Sequence, residues 1–194
     1  MRDLTDIEQW QAFLDGNIVA FDALMTAHFR ALYQYGSKFS NDSEFVKDCI
    51  QDLFLYLWEH REHLSQQVSV KAYLMASLRR RIHRNKKGEF LDKPIDEESH
   101  LLDIEFSVED AFIENESSHN LSKHIQNALA ALPKRQKEII YLRFFQNLDR
   151  EHIAQVMDIT PQTVSNVLQI AFKGIRKNWK TEYLTFFLLY FLFN

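Results

Sequence analysis

Residues that staple or bend a chain are scarce here: one cysteine, three prolines and four glycines among 194 residues. Cys49 has no partner for an internal disulfide, so stapling is excluded and a reducing compartment is expected. So few chain breakers, with no β-alternating run of useful length, exclude a many-turned sheet protein and favour long helices. There is no glycine-rich phosphate loop, no metal-ligand spacing among the eight histidines and no nucleophile beside a base. The expectation is therefore no enzyme, cofactor, metal or small-molecule substrate. His60 and His63, three apart near a helix end with no third ligand, read as a surface pair. Met1–Glu8 is charged and lacks an apolar stretch before a cleavage site, so a cytoplasmic location is expected.

What is present is an all-α pattern. Hydrophobic residues make up 46% of the chain, enough for a core. Leu132–Lys177 holds three helices, the last two in a helix-turn-helix arrangement. Pro133 suits a first helical position, where an amide has no intrahelical acceptor to lose. Asp149 is placed to cap Arg150–Met157, and Thr160-Pro161 is an N-cap hydroxyl followed by a first-turn proline. At about 100° per residue, Val164, Leu168, Ala171 and Ile175 share one side of the last helix. Gln162, Ser165, Asn166, Gln169 and Lys173 share the other. A helix with one apolar face and one face of short amides and hydroxyls can dock on its neighbours and enter the major groove. Asn and Gln amides reach adenine in one planar contact, worth about 1–3 kcal/mol of discrimination. The plainer reading is a helical hairpin with a solvated face.

The net charge of −4 divides unevenly. Gly88–Ser118 carries eleven acids against one base, leaving 22 bases and 16 acids elsewhere. Two basic blocks are thus joined by an acidic connector, read as a solvated linker or as a mimic of nucleic acid in a basic channel. In the first block, Asp6–Gly16 and Ala20–Lys38 have helical spacing, with Phe21, Leu24, Met25, Phe29, Leu32 and Tyr33 as an apolar stripe. After the cap cluster Ser40–Ser43, the helix Glu44–Arg61 buries Val46, Cys49, Ile50, Leu53 and Leu57, so Cys49 is core filler. Asp48, Gln51, Asp52 and Glu59 surround Leu55 on its other face: an apolar centre with a polar rim suits a protein contact, and a stray surface leucine is the plainer reading.

Ser65–Val70 interrupts the pattern, and Lys71–Lys87 resumes it. No acid occurs between Glu62 and Glu89, while Lys71, Arg79, Arg80, Arg81, Arg84, Lys86 and Lys87 give seven positive charges. Tyr73, Leu74, Leu78 and Ile82 form the inward stripe, leaving the bases outward. Bases with an aromatic nearby hold phosphates and stack unpaired bases. A solvated basic helix, or one masked by the acidic connector, are the other readings.

Together these residues resemble a bacterial RNA polymerase sigma factor of the extracytoplasmic-function type. Asp48–Trp58, DCIQDLFLYLW, matches that family's D-x-x-Q-[DE]-x-F-x-x-x-W helix. KAYLMASLRRRI resembles its promoter-melting helix, and Leu132–Lys177 its domain four. The resemblance implies two small helical domains joined by an acidic linker: sigma domain two at 1–88, linker 89–118, helix-turn-helix domain four at 119–182, and an apolar tail at 183–194. It implies that Asp48, Gln51, Asp52, Leu55 and Glu59 bind core RNA polymerase. Loop 65–70 would take a flipped base, and Lys71, Tyr73, Arg79, Arg80, Arg81 and Arg84 would hold the minus-ten strand. Gln162, Thr163, Ser165, Asn166, Gln169 and Lys173 would bind the minus-thirty-five element. The implied partners are core polymerase, promoter DNA and an anti-sigma factor, often membrane-anchored. Arg80 and Arg84 depart from an asparagine and an aspartate usual in the family, and Val167, Ile170 and Phe172 from its usual bases. Weak duplex binding without polymerase is expected. The rival readings are a polymerase-independent helix-turn-helix regulator and an adaptor unable to melt DNA. Tyr183–Phe193, too short to span a bilayer, is expected to fold into a groove.

Overall fold

The computed structural model describes residues 5–89 and 129–178. The acidic connector and the apolar tail lie outside the described residues. Every described element is helical: α1 (Asp6–Leu14), α2 (Ile18–Gly36), α3 (Ser43–Glu59), a 3-10 turn (Arg61–His63), α4 (Val70–Glu89), α5 (Lys134–Ile140), α6 (Arg150–Met157) and α7 (Pro161–Asn178). Among the described residues, no helix is long and apolar enough to cross a membrane.

Local chemistry sets the helix starts. Thr5 and Glu8 form a reciprocal capping box on α1, and Asn17 and Asp42 accept from two amides each at the starts of α2 and α3. Asp149 accepts from the His152 amide at 2.8 Å and starts α6 where the sequence places it. Thr160 Oγ1 accepts from the Thr163 amide at 3.2 Å, and α7 begins on Pro161. Asp158, between them, has φ 55° and ψ 52°, the left-handed turn that reorients the chain. Pro133 differs from its expectation: it is the cap residue of α5, and the helix begins at Lys134. Beyond α5 the backbone widens over Tyr141–Phe145 into a π turn, closed by the Gln146 amide donating to Tyr141 O at 3.1 Å.

In the first block, α1 to α4 pack around Trp10, Phe13, Leu24, Leu32, Ile50, Leu53, Leu57, Leu74 and Leu78, all nearly or fully buried. Cys49 is buried among them, with Asn85 Nδ2 3.6 Å from its sulfur, and burial pushes its thiol pKa up. It is filler, as its position on the helix suggests. Gly36 sits where α2 meets α3 and α4, and a Cβ there would come 2.7 Å from Val46 Cγ1. In the second block, Ile139, Ile140, Leu142, Ile153, Val164, Ala171 and Ile175 form the core of the helix-turn-helix.

The two blocks share one contiguous core, with α4 packed along α6. Periodicity along a chain reports which face of a helix is buried and not which distant helix covers it, so the sequence left this packing open.

Candidate polymerase and nucleic-acid interfaces

Three surfaces carry the residues singled out from sequence. The first is the outer face of α3. Asp48, Gln51, Asp52, Leu55 and Glu59 are all exposed, and Leu55 keeps 58% of its surface. Burying Val46, Cys49, Ile50, Leu53 and Leu57 leaves these five no other direction. Beside them, α2 and α3 enclose an apolar groove of about 540 Å³ lined by Ile18, Phe21, Met25, Phe29, Phe54, Leu55 and Trp58, among others. The groove has an aromatic floor: Phe21 packs against Phe54, Trp58 and Phe13 with centroids 5.1–6.1 Å apart. Ile18 and Val19 are 67% and 74% exposed near its mouth, a concentration of apolar surface that a solitary domain does not need. Sequence periodicity found Leu55 and missed this groove, because the stripe of α2 reads as core throughout; in the structure Phe29 remains 42% exposed and stacks on Tyr33.

The second surface is α4 with the loop before it. Trp10 Nε1 donates to Ser65 O at 3.0 Å, tying that loop to α1. Arg80 and Arg84 are exposed, as expected. Tyr73 is half-buried, its ring edge-on to Trp10 at 5.5 Å. The outward placement expected of Lys71, Arg79 and Arg81 does not hold. Arg81 Nη1 lies 3.3 Å from Asp52 Oδ2 and its guanidinium 6.0 Å from the Tyr56 ring centroid. Lys71 Nζ donates to Gln146 O in the second block at 2.7 Å. Burial pulls the Lys71 pKa down, with Asp6 opposing. Arg79 Nε donates to Glu138 Oε1 at 2.8 Å and Nη2 to Oε2 at 3.4 Å.

Glu138 is fully buried, and Tyr35 Oη donates to the same Oε1 at 2.6 Å. A buried carboxylate needs such partners, since desolvating an unpaired charge costs several kcal/mol, on the order of its whole neighbourhood's packing. Burial, then the charge of Glu138, pushes the Tyr35 hydroxyl well above its ordinary pKa, so it stays a donor. For Arg79, burial opposes the charge and Glu138 more than restores it, leaving the pKa raised. Neither Tyr35 nor Glu138 was legible as a site residue. Glu138 follows Lys137 in a short helix and looks like half of a surface pattern, while its true partners are 59 and 103 residues away.

The third surface is α7. Gln162, Asn166, Gln169 and Lys173 are exposed, and Thr163 and Ser165 are half-buried. Gln162 Nε2 donates to Asn166 Oδ1 at 3.1 Å, and Ser165 Oγ to Pro161 O at 3.2 Å. The polar face is therefore assembled on one rigid helix, and its opposite face buries Val164, Ala171 and Ile175. Ile170 is 56% exposed beside that polar face, and Phe172 packs edge-on against Phe144. His60, near the end of α3, stacks on Tyr56 at 4.1 Å, a packing use for that ring.

An all-helical protein with a helix-turn-helix, a basic helix and an apolar groove beside an exposed acidic face has the features of a nucleic-acid-directed binding protein. Comparison with known families is specific. Residues 24–89 match the model of Sigma-70 region 2, and residues 122–173 that of Sigma-70, region 4. Between them the two matches take in more than half of the chain. The chain belongs to the sigma-70 family of RNA polymerase sigma factors and acts as a sigma factor in promoter-directed transcription initiation. The fold is also that of solved structures. CnrH, in complex with the cytosolic domain of CnrY, is similar with a TM-score of 0.60 and 17% identity over 89% of this chain and 95% of that one. The sigma factor RpoE from Bartonella quintana, in complex with the anti-sigma factor NepR, is similar with a TM-score of 0.54 and 19% identity over 81% and 95%. No curated protein matches the chain.

Proposed function

We propose that the chain divides its work between three sites: α3 grips core polymerase, α4 and loop 65–70 hold the opened minus-ten strand, and α7 reads the minus-thirty-five element. The domain limits that go with this are 1–88 and 119–182, joined by the acidic linker and followed by the tail at 183–194. One observation carries the reading: five residues singled out for polymerase binding, Asp48, Gln51, Asp52, Leu55 and Glu59, are all exposed on α3, and two of them, Gln51 and Leu55, line an apolar groove. An apolar centre with a charged rim is how protein interfaces combine affinity with orientation.

Lys71, Tyr73, Arg79, Arg80, Arg81 and Arg84 hold phosphates and stack bases, offsetting a flipping cost of a few kcal/mol. Gln162, Thr163, Ser165, Asn166, Gln169 and Lys173 make base and backbone contacts in the major groove. The protein works in the cytoplasm, where its polymerase and promoters are. An anti-sigma factor is its regulatory partner, and the groove between α2 and α3 is where an apolar helix of that factor seats. Support comes from the groove's shape and from the two similar proteins, solved with CnrY and with the anti-sigma factor NepR.

The test is a pull-down of Leu55→Asp with purified core polymerase. A charge at the centre of the face is expected to weaken binding by more than about tenfold, the scale of one interface anchor. Wild-type binding by a folded Leu55→Asp protein would remove α3 from the polymerase interface.

A further inference from the structure

The helix assigned to the opened strand does not present all of its bases. Between Glu62 and Glu89 the sequence supplies no acid, so Arg79 has no carboxylate three or four residues away on its own helix. It receives one from the other block, Glu138, and does so in the forked geometry a guanidinium uses for phosphate. Lys71, eight residues earlier on the same helix, is engaged by Gln146 O of that block as well. Tyr35 completes the site from α2 by donating to Glu138.

Resting on the assignment of α4 to the minus-ten strand, we propose that Glu138 is an internal stand-in for a DNA phosphate. It holds Arg79, as Gln146 O holds Lys71, against the second block in a closed state that cannot take the opened strand. The chemistry favours a latch over a permanent weld. A buried ion pair adds little net stability compared with an apolar contact of the same size, because desolvation offsets most of its attraction. Exchanging one oxyanion for another on Arg79 keeps its charge paired throughout, so the open state is reached without stranding a cation. A ligand that binds only the open state then shifts the population towards it, and single-stranded DNA is such a ligand. Glu138 thereby sets the affinity of the free protein for DNA through the fraction of molecules that are open.

The experiment compares full-length wild type, Tyr35→Phe and Glu138→Gln for binding of a fluorescent single-stranded deoxyoligonucleotide, alongside small-angle scattering. Glu44→Gln, an exposed site on α3, controls for the change in net charge. Tyr35→Phe removes the hydroxyl with neither a charge change nor a cavity, and keeps the test intact if Glu138→Gln fails to fold. The latch predicts oligonucleotide binding about tenfold tighter in Tyr35→Phe and Glu138→Gln, following the rise in the open fraction, with a larger radius of gyration. Glu44→Gln should change neither. Folded Tyr35→Phe that binds like wild type overturns the proposal, and so does expansion without tighter binding. Run-off transcription by wild type with core polymerase separates the two layers. Initiation without any gain in the variants overturns the latch alone, and no initiation overturns the reading beneath it.

Discussion

The two helices proposed to meet DNA are presented in opposite ways. Helix α7 lies with Gln162, Asn166 and Gln169 exposed, Gln162 bonded to Asn166 and Ser165 to Pro161 on the same helix. Helix α4 gives Lys71 and Arg79 to the other block and Arg81 to Asp52, leaving Arg80 and Arg84 exposed. Under the proposed roles, the difference follows from what each helix would bind. Duplex DNA offers its grooves at all times, so a reader can stand ready. An opened strand exists only during initiation, and a surface of unpaired arginines waiting for it would attract any polyanion.

The contrast sharpens at Glu138. Glu138→Ala strands the Arg79 guanidinium, and chemical denaturation should show a loss of about 3–5 kcal/mol, the cost of breaking a buried pair from one side. A loss below 1 kcal/mol would mean that α4 and α6 separate freely already. On α7 the effect should fall on specificity instead. Asn166→Ala and Gln169→Ala should each cost about 1–3 kcal/mol of discrimination between promoters differing in the minus-thirty-five element, read by run-off transcription, with folding unchanged. Equal losses on all promoters would make those amides backbone contacts. The smallest effect belongs to the exposed bridge: Asp52→Asn should shift stability by less than about 1 kcal/mol, since solvent screens its pair with Arg81.

Reading along the chain recovers whatever depends on neighbours in sequence. The caps at Asp149 and Thr160 and the burial of Val164, Ala171 and Ile175 opposite Asn166 and Gln169 all follow from spacings of one to four residues. So does exposed Leu55, whose isolation among acids is visible in the letters. Meeting points between distant segments do not follow. Tyr35 lies outside the apolar stripe assigned to α2, yet it is fully buried, because α5 brings Glu138 to it. Lys71 and Arg79 look outward on a helical wheel, because a wheel knows only its own helix. The groove between α2 and α3 was missed for the same reason: a stripe that is core on one side and cleft on the other has a single periodicity.

The central claim is that the exposed α3 face and the α7 reader act together through polymerase. It is tested most directly by run-off transcription with purified core polymerase on a promoter bearing both elements. The account predicts specific initiation that needs this protein and is lost in Leu55→Asp. No initiation, with tight duplex binding by the protein alone at physiological salt, would contradict it and leave a polymerase-independent regulator in its place.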